Sequence, residues 1–371
     1  MAGRLAQATA APRIALDLEA AGFHRYSDQV CLVQVTTPDE RTWIVDPLAF
    51  DPAPFLAPAL EDPGTEVVMH GADFDVRLLH RDLGIQLSGL FDTQIAASLL
   101  GESALGLSSL LEKHLGIEVS KKHQRADWAQ RPLPDAMIEY AAEDTRHLYR
   151  LADLLARRLE ACGRVEWARE EFEAQERVRW DEGDEDDPVL KVDGGRDLDP
   201  RALARLREAL EWRDRIARQR DRAPFRIAGD QALLQAADQR PTSVDELAGI
   251  RGISRVLARA RGEELLDAFG RVEALPLEAL EPYPETGSRG RGRPEPEVRE
   301  RTSLLKSARN RRAGELGIDR GTLLPNATLE EIARREPNTR RELERVTGVK
   351  EWQIEAAGEA LLAALASTEE G

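Results

Sequence analysis

The sequence predicts an α/β domain with its strands mostly first, followed by two all-helical domains. Three observations carry this. Short runs rich in β-branched and aliphatic residues, each ended by turn formers, crowd the chain before residue 72; helical spacing dominates after it; and the last part repeats itself at a shift of 96 residues. With 371 residues and 42% hydrophobic content, the chain can bury sizeable cores, and its length suits two or three domains.

The strands come in order as RIALDLE from Arg13, VCLVQVTT from Val30, RTWIVDP from Arg41 and EVVMHG from Glu66. Further on, Met137, Tyr140, Ala141, Asp144, Leu148 and Leu151 follow helical spacing along one long segment. The acidic run DEGDEDD opens a linker at 181–197, and PYPETGSRGRGRPEPE forms a second at 282–297. These divide the chain into 1–180, 198–272 and 298–368. The shift of 96 pairs Leu233 with Leu329, Pro241 with Pro337, Glu246 with Glu342, Gly252 with Gly348 and Gly262 with Gly358, so the tail reads as a tandem duplication of one small helical domain.

Charge narrows the function. With 52 Lys and Arg against 68 Asp and Glu, the formal charge is −16, which excludes a nucleic-acid role resting on overall positive charge and leaves local patches or metal ions. Cys31 and Cys162 offer no disulfide framework and no metal-ligand spacing, so a reducing compartment is expected. No apolar run is long enough to span a bilayer, and MAGRLAQATAAPR lacks the apolar centre of a secretory signal. The expectation is a cytoplasmic monomer without a membrane partner. A helicase is excluded because no G-x-x-x-x-G-K-[ST] loop occurs.

IALDLEA, residues 14–20, holds two carboxylates inside a strand. Strand side chains alternate, so Ile14, Leu16 and Leu18 share one face while Ala15, Asp17 and Glu19 share the other. Two anions held side by side in a partly buried place raise each other's pKa unless a cation sits between them, and a divalent metal is the economical cation. For an isolated D-x-E, the alternative is an edge strand with both acids facing water. Two further features keep the pair company: Asp75, in MHGADFDVRLL, falls near a helix start, and Tyr140 and Asp144, in EYAAEDTRHL, lie one helical turn apart.

Taken in order, D-x-E in a first strand, H-x-x-x-x-D after a later strand and Y-x-x-x-D in a helix resemble the three exonuclease motifs of the DEDD superfamily. The position five before Asp144 is Glu139 rather than His, and Tyr140 stands four before it, as in the tyrosine branch. FDTQIAASLL and KKHQRADWAQRPL resemble the linking segments of ribonuclease D, and EWRDRIARQRDRAPFRIAGDQALLQAA resembles the HRDC domain found in helicases and at the ribonuclease D C-terminus. Residues 298–368 look like a second, more divergent copy.

The resemblance implies a ribonuclease H-like domain, a mixed sheet flanked by helices, that removes nucleotides from RNA 3′ ends, notably of transfer-RNA precursors. It implies two Mg²⁺ or Mn²⁺ ions, about 3.5 to 4 Å apart in such sites, held by Asp17, Glu19, Asp75 and Asp144. Asp17, Glu19 and Asp144 would surround one ion, Asp17 would be shared, and Asp75 would act mainly through the second. Tyr140 would orient the attacking water or the scissile phosphate.

For substrate contacts, Phe23 and His24 follow the first carboxylates and are placed at the 3′-end pocket, and Lys121 and Lys122 near phosphate; His70, at a strand end near the site, reads either as a substrate hydrogen bond or, preferred, as a satisfied structural histidine. Arg213, Arg215, Arg218, Arg220, Arg222 and Arg226 read as a phosphate-contacting patch, with a solvated helix paired to its own acids, such as Glu208 and Asp214, as the alternative. Arg309, Arg311 and Arg312 repeat the pattern more weakly. Trp128, Arg131 and Pro132 match the family's W-x-x-R-P segment, where packing explains them as well as substrate contact does. A DNA-directed 3′–5′ repair exonuclease and a non-catalytic RNA-binding scaffold are the rival readings, and the presence of all four acids and Tyr140 weighs against the second. One departure stands out: only 16 residues precede Asp17, where the family carries a further segment, which puts the edge protection of the first strand in question.

Overall fold

The computed structural model describes residues 10–180, 187–284 and 295–366. A five-stranded mixed sheet organises the first part: β1 (Arg13–Ala20), β2 (Val30–Thr36), β3 (Thr42–Val45), β4 (Glu66–Met69) and β5 (Leu90–Asp92), in the order β3-β2-β1-β4-β5. β1 pairs antiparallel with β2 and, over Arg13–Ala15, parallel with β4, so the strand bearing Asp17 and Glu19 lies between two others rather than at the edge of the sheet. That answers both the edge-strand alternative and the question raised by the few residues ahead of it. Residue parity holds: Ile14, Leu16 and Leu18 join the main core, while Ala15 packs with Val68, Leu148 and Ala152 on the other face.

The helices of this part are α1 (Ala53–Leu60), α2 (Asp73–Leu83), α3 (Thr93–Leu99), α4 (Leu107–Leu115), α5 (Asp135–Arg146), α6 (Leu148–Ala161) and α7 (Val165–Glu176). Two features differ from the sequence reading. β5, at three residues, is too short to leave a pattern. The single long helix expected across residues 137–151 is broken at His147, whose φ and ψ of −108° and 1° leave the helical region. The break lets α5 cover β1 to β3 while α6 turns toward β4. Neither Pro nor Gly marks it.

The second part contains α8 (Pro200–Arg220), α9 (Asp230–Gln239), α10 (Val244–Gly249) and α11 (Arg255–Ala274); the third contains α12 (Pro296–Leu316), α13 (Arg320–Leu323), α14 (Asn326–Arg335), α15 (Arg340–Leu343) and α16 (Glu351–Ala366). The duplication extends to individual hydrogen bonds. Arg205 donates to the Ala237 carbonyl at 2.6 Å, and Arg301, 96 residues on, donates to that of Ala333 at 3.0 Å. Ser243 and Thr339 cap α10 and α15, each accepting from the backbone N–H three residues later. Gly262 lets α11 pass close against Leu247, and Gly358 of α16 faces Leu343 at the matching place. Of the first linker, 181–186 lies outside the described residues, but 187–197 is not a solvated spacer: Val189 and Val192 are buried in the α8–α11 core because two short 3-10 turns fold them back onto α8. In the second linker, Tyr283 packs against that same core and 285–294 lies outside the described residues.

Candidate active site

β1 pairs with β4 only over Arg13–Ala15, and β4 ends at Met69. Asp17 and Glu19 therefore project past the carboxyl end of the parallel pair, where open α/β sheets place their ligands. Across β2 they face Gln34 and Leu32. α5 is laid over this face by two anchors: Thr145 hydrogen-bonds Thr36 at 2.7 Å, and Met137 and Ala141 pack with Cys31, Leu32 and Trp128. Those anchors bring Tyr140 and Asp144 over the two strand acids. Oxygens of Asp17, Glu19 and Asp144 all lie within 4.8 Å of one another. Asp75 enters from the first turn of α2 and lines, with Glu19, a cavity of about 360 Å³. A larger cavity of about 610 Å³, lined by Arg311, Glu315 and Ile354, holds none of these acids.

A residue that sequence reading missed fixes Asp75. Asp92, 1% exposed, accepts from the backbone N–H groups of Gly71 (3.0 Å), Ala72 (2.7 Å), Gln94 (2.7 Å) and Ile95 (3.2 Å). One carboxylate thus caps α3 and clamps the turn that leads into α2. Gly71 sits in that turn at φ 68°, a left-handed conformation that a side chain would strain. The signal was present as D-T-Q at the start of an apolar run, an ordinary N-cap pattern.

The electrostatics follow from crowding. Burial, then Asp17, Asp144 and Asp75, push the Glu19 carboxyl up to about 10. Burial, then Asp92, push Asp75 up to about 8; burial, then Asp17 and Glu143, push Asp144 up to about 8. Asp17 is raised well above its ordinary value by burial and by Asp75. Tyr140 is raised above the usual phenol value by burial and by the three acids around it, and its hydroxyl bonds the Asp144 carboxylate. No base contributes to any of these four carboxyl shifts. Half-buried carboxylates that repel one another, with only hard oxygen donors, suit a divalent cation. The amide of Gln34, fully buried on β2 opposite Asp17, has neither polar atom partnered, a mark of a polar site beside the acids.

The remaining residues divide. Phe23 lines the cavity with Leu18, Tyr26 and Phe74, the last of which the sequence reading had not singled out. His24 does not face it: its Nε2 bonds the Arg125 carbonyl at 2.9 Å. His70 Nδ1 is held by the Thr93 hydroxyl at 2.9 Å, which in turn donates to Met69 O, a structural arrangement. Lys121 and Lys122 are exposed just ahead of His123, whose ring meets Tyr140 edge-on.

The arginine patch comes apart. Arg213 pairs with Asp230 at 2.5 Å and donates to Ala228 O at 3.1 Å; Arg309 repeats both bonds with Asn326 and Leu324 O. These two hold the repeat together from inside. Arg215 faces Glu211 and Glu264, and Arg218 pairs with Asp214. Arg220, Arg222 and Arg226 are exposed with no acid partner among the described residues. In the W-x-x-R-P segment, buried Trp128 supports Tyr140 at 6.0 Å between rings, and Arg131 pairs with Asp46 at 2.7 Å, so both shape the loop.

The chain matches the family model for 3′–5′ exonucleases over residues 2–160, and that for HRDC domains over 202–269 and 299–365. It is 33% identical to Ribonuclease D of Pseudomonas paraeruginosa, covering 96% of this chain and 93% of that one. It is 34% identical to Ribonuclease D of Gluconacetobacter diazotrophicus over 80% of this chain and 74% of that one. Its fold is similar to the crystal structure of Escherichia coli RNase D, described as an exoribonuclease involved in structured RNA processing, with a TM-score of 0.71, 27% identity, and 99% and 96% of the two chains covered. Among the described residues, no helix is long and apolar enough to cross a membrane. The motif order, the acid cluster and these likenesses agree: the chain belongs to the ribonuclease D family, as a 3′–5′ exoribonuclease whose α/β domain is followed by two HRDC domains.

Proposed function

We propose that this exoribonuclease trims the 3′ ends of structured RNA, transfer-RNA precursors in particular, in the cytoplasm, releasing nucleoside 5′-monophosphates. Asp17, Glu19, Asp75 and Asp144 would hold two divalent cations, Mg²⁺ or Mn²⁺. When bound, such ions supply a nucleophile at neutral pH, charge stabilisation at the phosphorus and help for the departing 3′ oxygen. The observation that carries this reading is the gathering of Asp17, Glu19 and Asp144 within 4.8 Å, with raised carboxyl pKa values and no base between them.

The chain's own residues have separable tasks. Asp17, Glu19 and Asp144 share one site, and the approach of Asp75 from α2 supports its assignment to the second. The Tyr140 phenol, held protonated, donates a hydrogen bond rather than serving as base, and orients the attacking water or scissile phosphate. Phe23 and Phe74, 38% and 45% exposed at the cavity that Glu19 and Asp75 line, offer apolar walls to the terminal nucleoside. The test is incubation with a 3′-extended transfer RNA and with the same sequence as DNA, with and without divalent metal. Stepwise shortening of the RNA with release of 5′-monophosphates is expected; shortening of DNA alone, or of neither, would overturn the proposal.

A further inference from the structure

Many arginines of the first HRDC domain pair with acids, but a group of cations beside the active site does not. Arg125 and Arg226 are exposed and form no ion pair with an acid among the described residues. Both lie against Phe23: Arg226 stands 4.8 Å from the ring centroid and Arg125 stands 5.5 Å from it. Phe225, 52% exposed, packs its ring 5.5 Å from that of Phe23, with Arg226 5.8 Å from it as well. Arg226 is fixed there because its Nε donates to the Phe23 carbonyl at 2.7 Å. The cluster joins two domains, Phe23 and Arg125 coming from the exonuclease and Phe225 and Arg226 from the turn after α8. On a chain of net charge −16, exposed aromatic faces interleaved with unpaired guanidinium groups are not explained by folding.

We propose that Phe225, Arg226, Phe23 and Arg125 form a stacking platform for nucleobases of the single-stranded 3′ tail, outside the cavity that takes the terminal nucleotide. This rests on the exoribonuclease reading of the site. Phe23 belongs to both places, since it also lines the cavity with Glu19 and Asp75. An aromatic face accepts any base, and a neighbouring guanidinium adds a cation–π contact or meets the phosphate, so binding is sequence-tolerant and requires unstacked bases. The platform exists only while the first HRDC domain is docked.

The test uses the full chain with two substrates, a ten-nucleotide single-stranded RNA and a dinucleotide too short to reach beyond the cavity. Phe225→Ala is expected to raise KM for the longer RNA about tenfold, the size of one base–aromatic stack, with kcat and dinucleotide hydrolysis unchanged. Phe225→Leu keeps apolar cover without a π face, and the same loss is expected. Quenching of a 2-aminopurine placed near the 3′ end of the longer RNA, on binding, should fall in both variants. An unchanged KM and quench in Phe225→Ala, or wild-type behaviour of Phe225→Leu, would overturn the platform while the exoribonuclease stands. Failure of the wild type to hydrolyse either RNA would overturn the exoribonuclease reading, and the platform with it.

Discussion

The two HRDC domains share an interior and differ in how they meet the exonuclease. Inside, Arg205 and Arg301, and Arg213 and Arg309, make the same bonds 96 residues apart. Outside, the first domain reaches the loop that follows β1 through the exposed Phe23–Phe225 ring pair and a set of polar contacts. Tyr26 donates to Asp214 at 2.8 Å, Arg25 pairs with Asp221 at 3.2 Å, and Ala223 N–H donates to His24 O at 3.2 Å. The second domain docks on α7, away from the acids, by an apolar stack. Trp352 lies 4.9 Å from Trp167 at 27°, its Nε1 donates to Glu171 at 2.8 Å, and Glu170 accepts from the N–H groups of Glu351 and Trp352 at the start of α16. Gly101 also abuts the Gly317 carbonyl so closely that no side chain fits.

The interior is set by what a small helical domain needs to fold, and the surface decides its use. Exposed ion pairs contribute little and can reorganise, whereas buried aromatic area makes a lasting joint. Under the platform proposed above, the first domain acts on substrate, while the second braces the catalytic domain.

The largest effect of a single substitution on stability should come from breaking the brace. Trp352, 2% exposed, lies in both the stack and the core of its own domain, so Trp352→Ala should cost about 3–5 kcal/mol, by analogy with core Trp truncations. Calorimetry should show the loss, with dinucleotide hydrolysis near wild type; an unshifted unfolding transition would remove the brace from the account.

Next comes the metal, which separates the catalytic domain from both HRDC copies. Without metal, the native Glu19, Asp75 and Asp144 carboxyls keep protons up to about 10, 8 and 8, above the ordinary carboxyl values of the unfolded chain. The native state then binds more protons than the unfolded one, so metal-free stability falls as pH rises from about 4 toward those values, by at most about 1.4 kcal/mol per pH unit for each group. Metal binding displaces the protons and strengthens with pH. The melting temperature in Mg²⁺ or Mn²⁺ should exceed that in chelator by more at pH 8.5 than at pH 6. An equal gap at both would contradict the protonated cluster.

The smallest effect on stability is expected at the polar joint. Arg25→Ala removes partly exposed pairs to Asp127 and Asp221 and should cost under about 1 kcal/mol. KM for a long single-stranded RNA should nonetheless rise severalfold, because the loop carrying Phe23 loses its tie to the first HRDC domain. A large fall in stability with unchanged KM would reverse the roles given to the two joints.

Much of this was legible in the sequence. Parity alone put Asp17 and Glu19 on one face, and the four-residue spacing put Tyr140 and Asp144 on one helical face; the repeat at 96 residues was visible without structure. Local pattern could not show that β1 is central, since pairing with β2 and β4 is long-range. It could not show the break at His147, which has no marking residue. Charge density along α8 was legible, as were the acids of the same helix, Glu211 and Asp214, that pair with Arg215 and Arg218; Asp230 and Glu264, which pair with Arg213 and Arg215, come from other helices and were not. Phe225 gained meaning only once folding set it, with Arg226, against Phe23.

The central claim is that the Asp17, Glu19, Asp75 and Asp144 cluster is a metal-dependent hydrolytic centre. Asp144→Asn tests it most directly, by following 5′-monophosphate release from a 3′-extended RNA in Mg²⁺ alongside RNA affinity and thermal unfolding. The account predicts no detectable release from a folded variant that binds RNA like the wild type; full turnover by Asp144→Asn would contradict it.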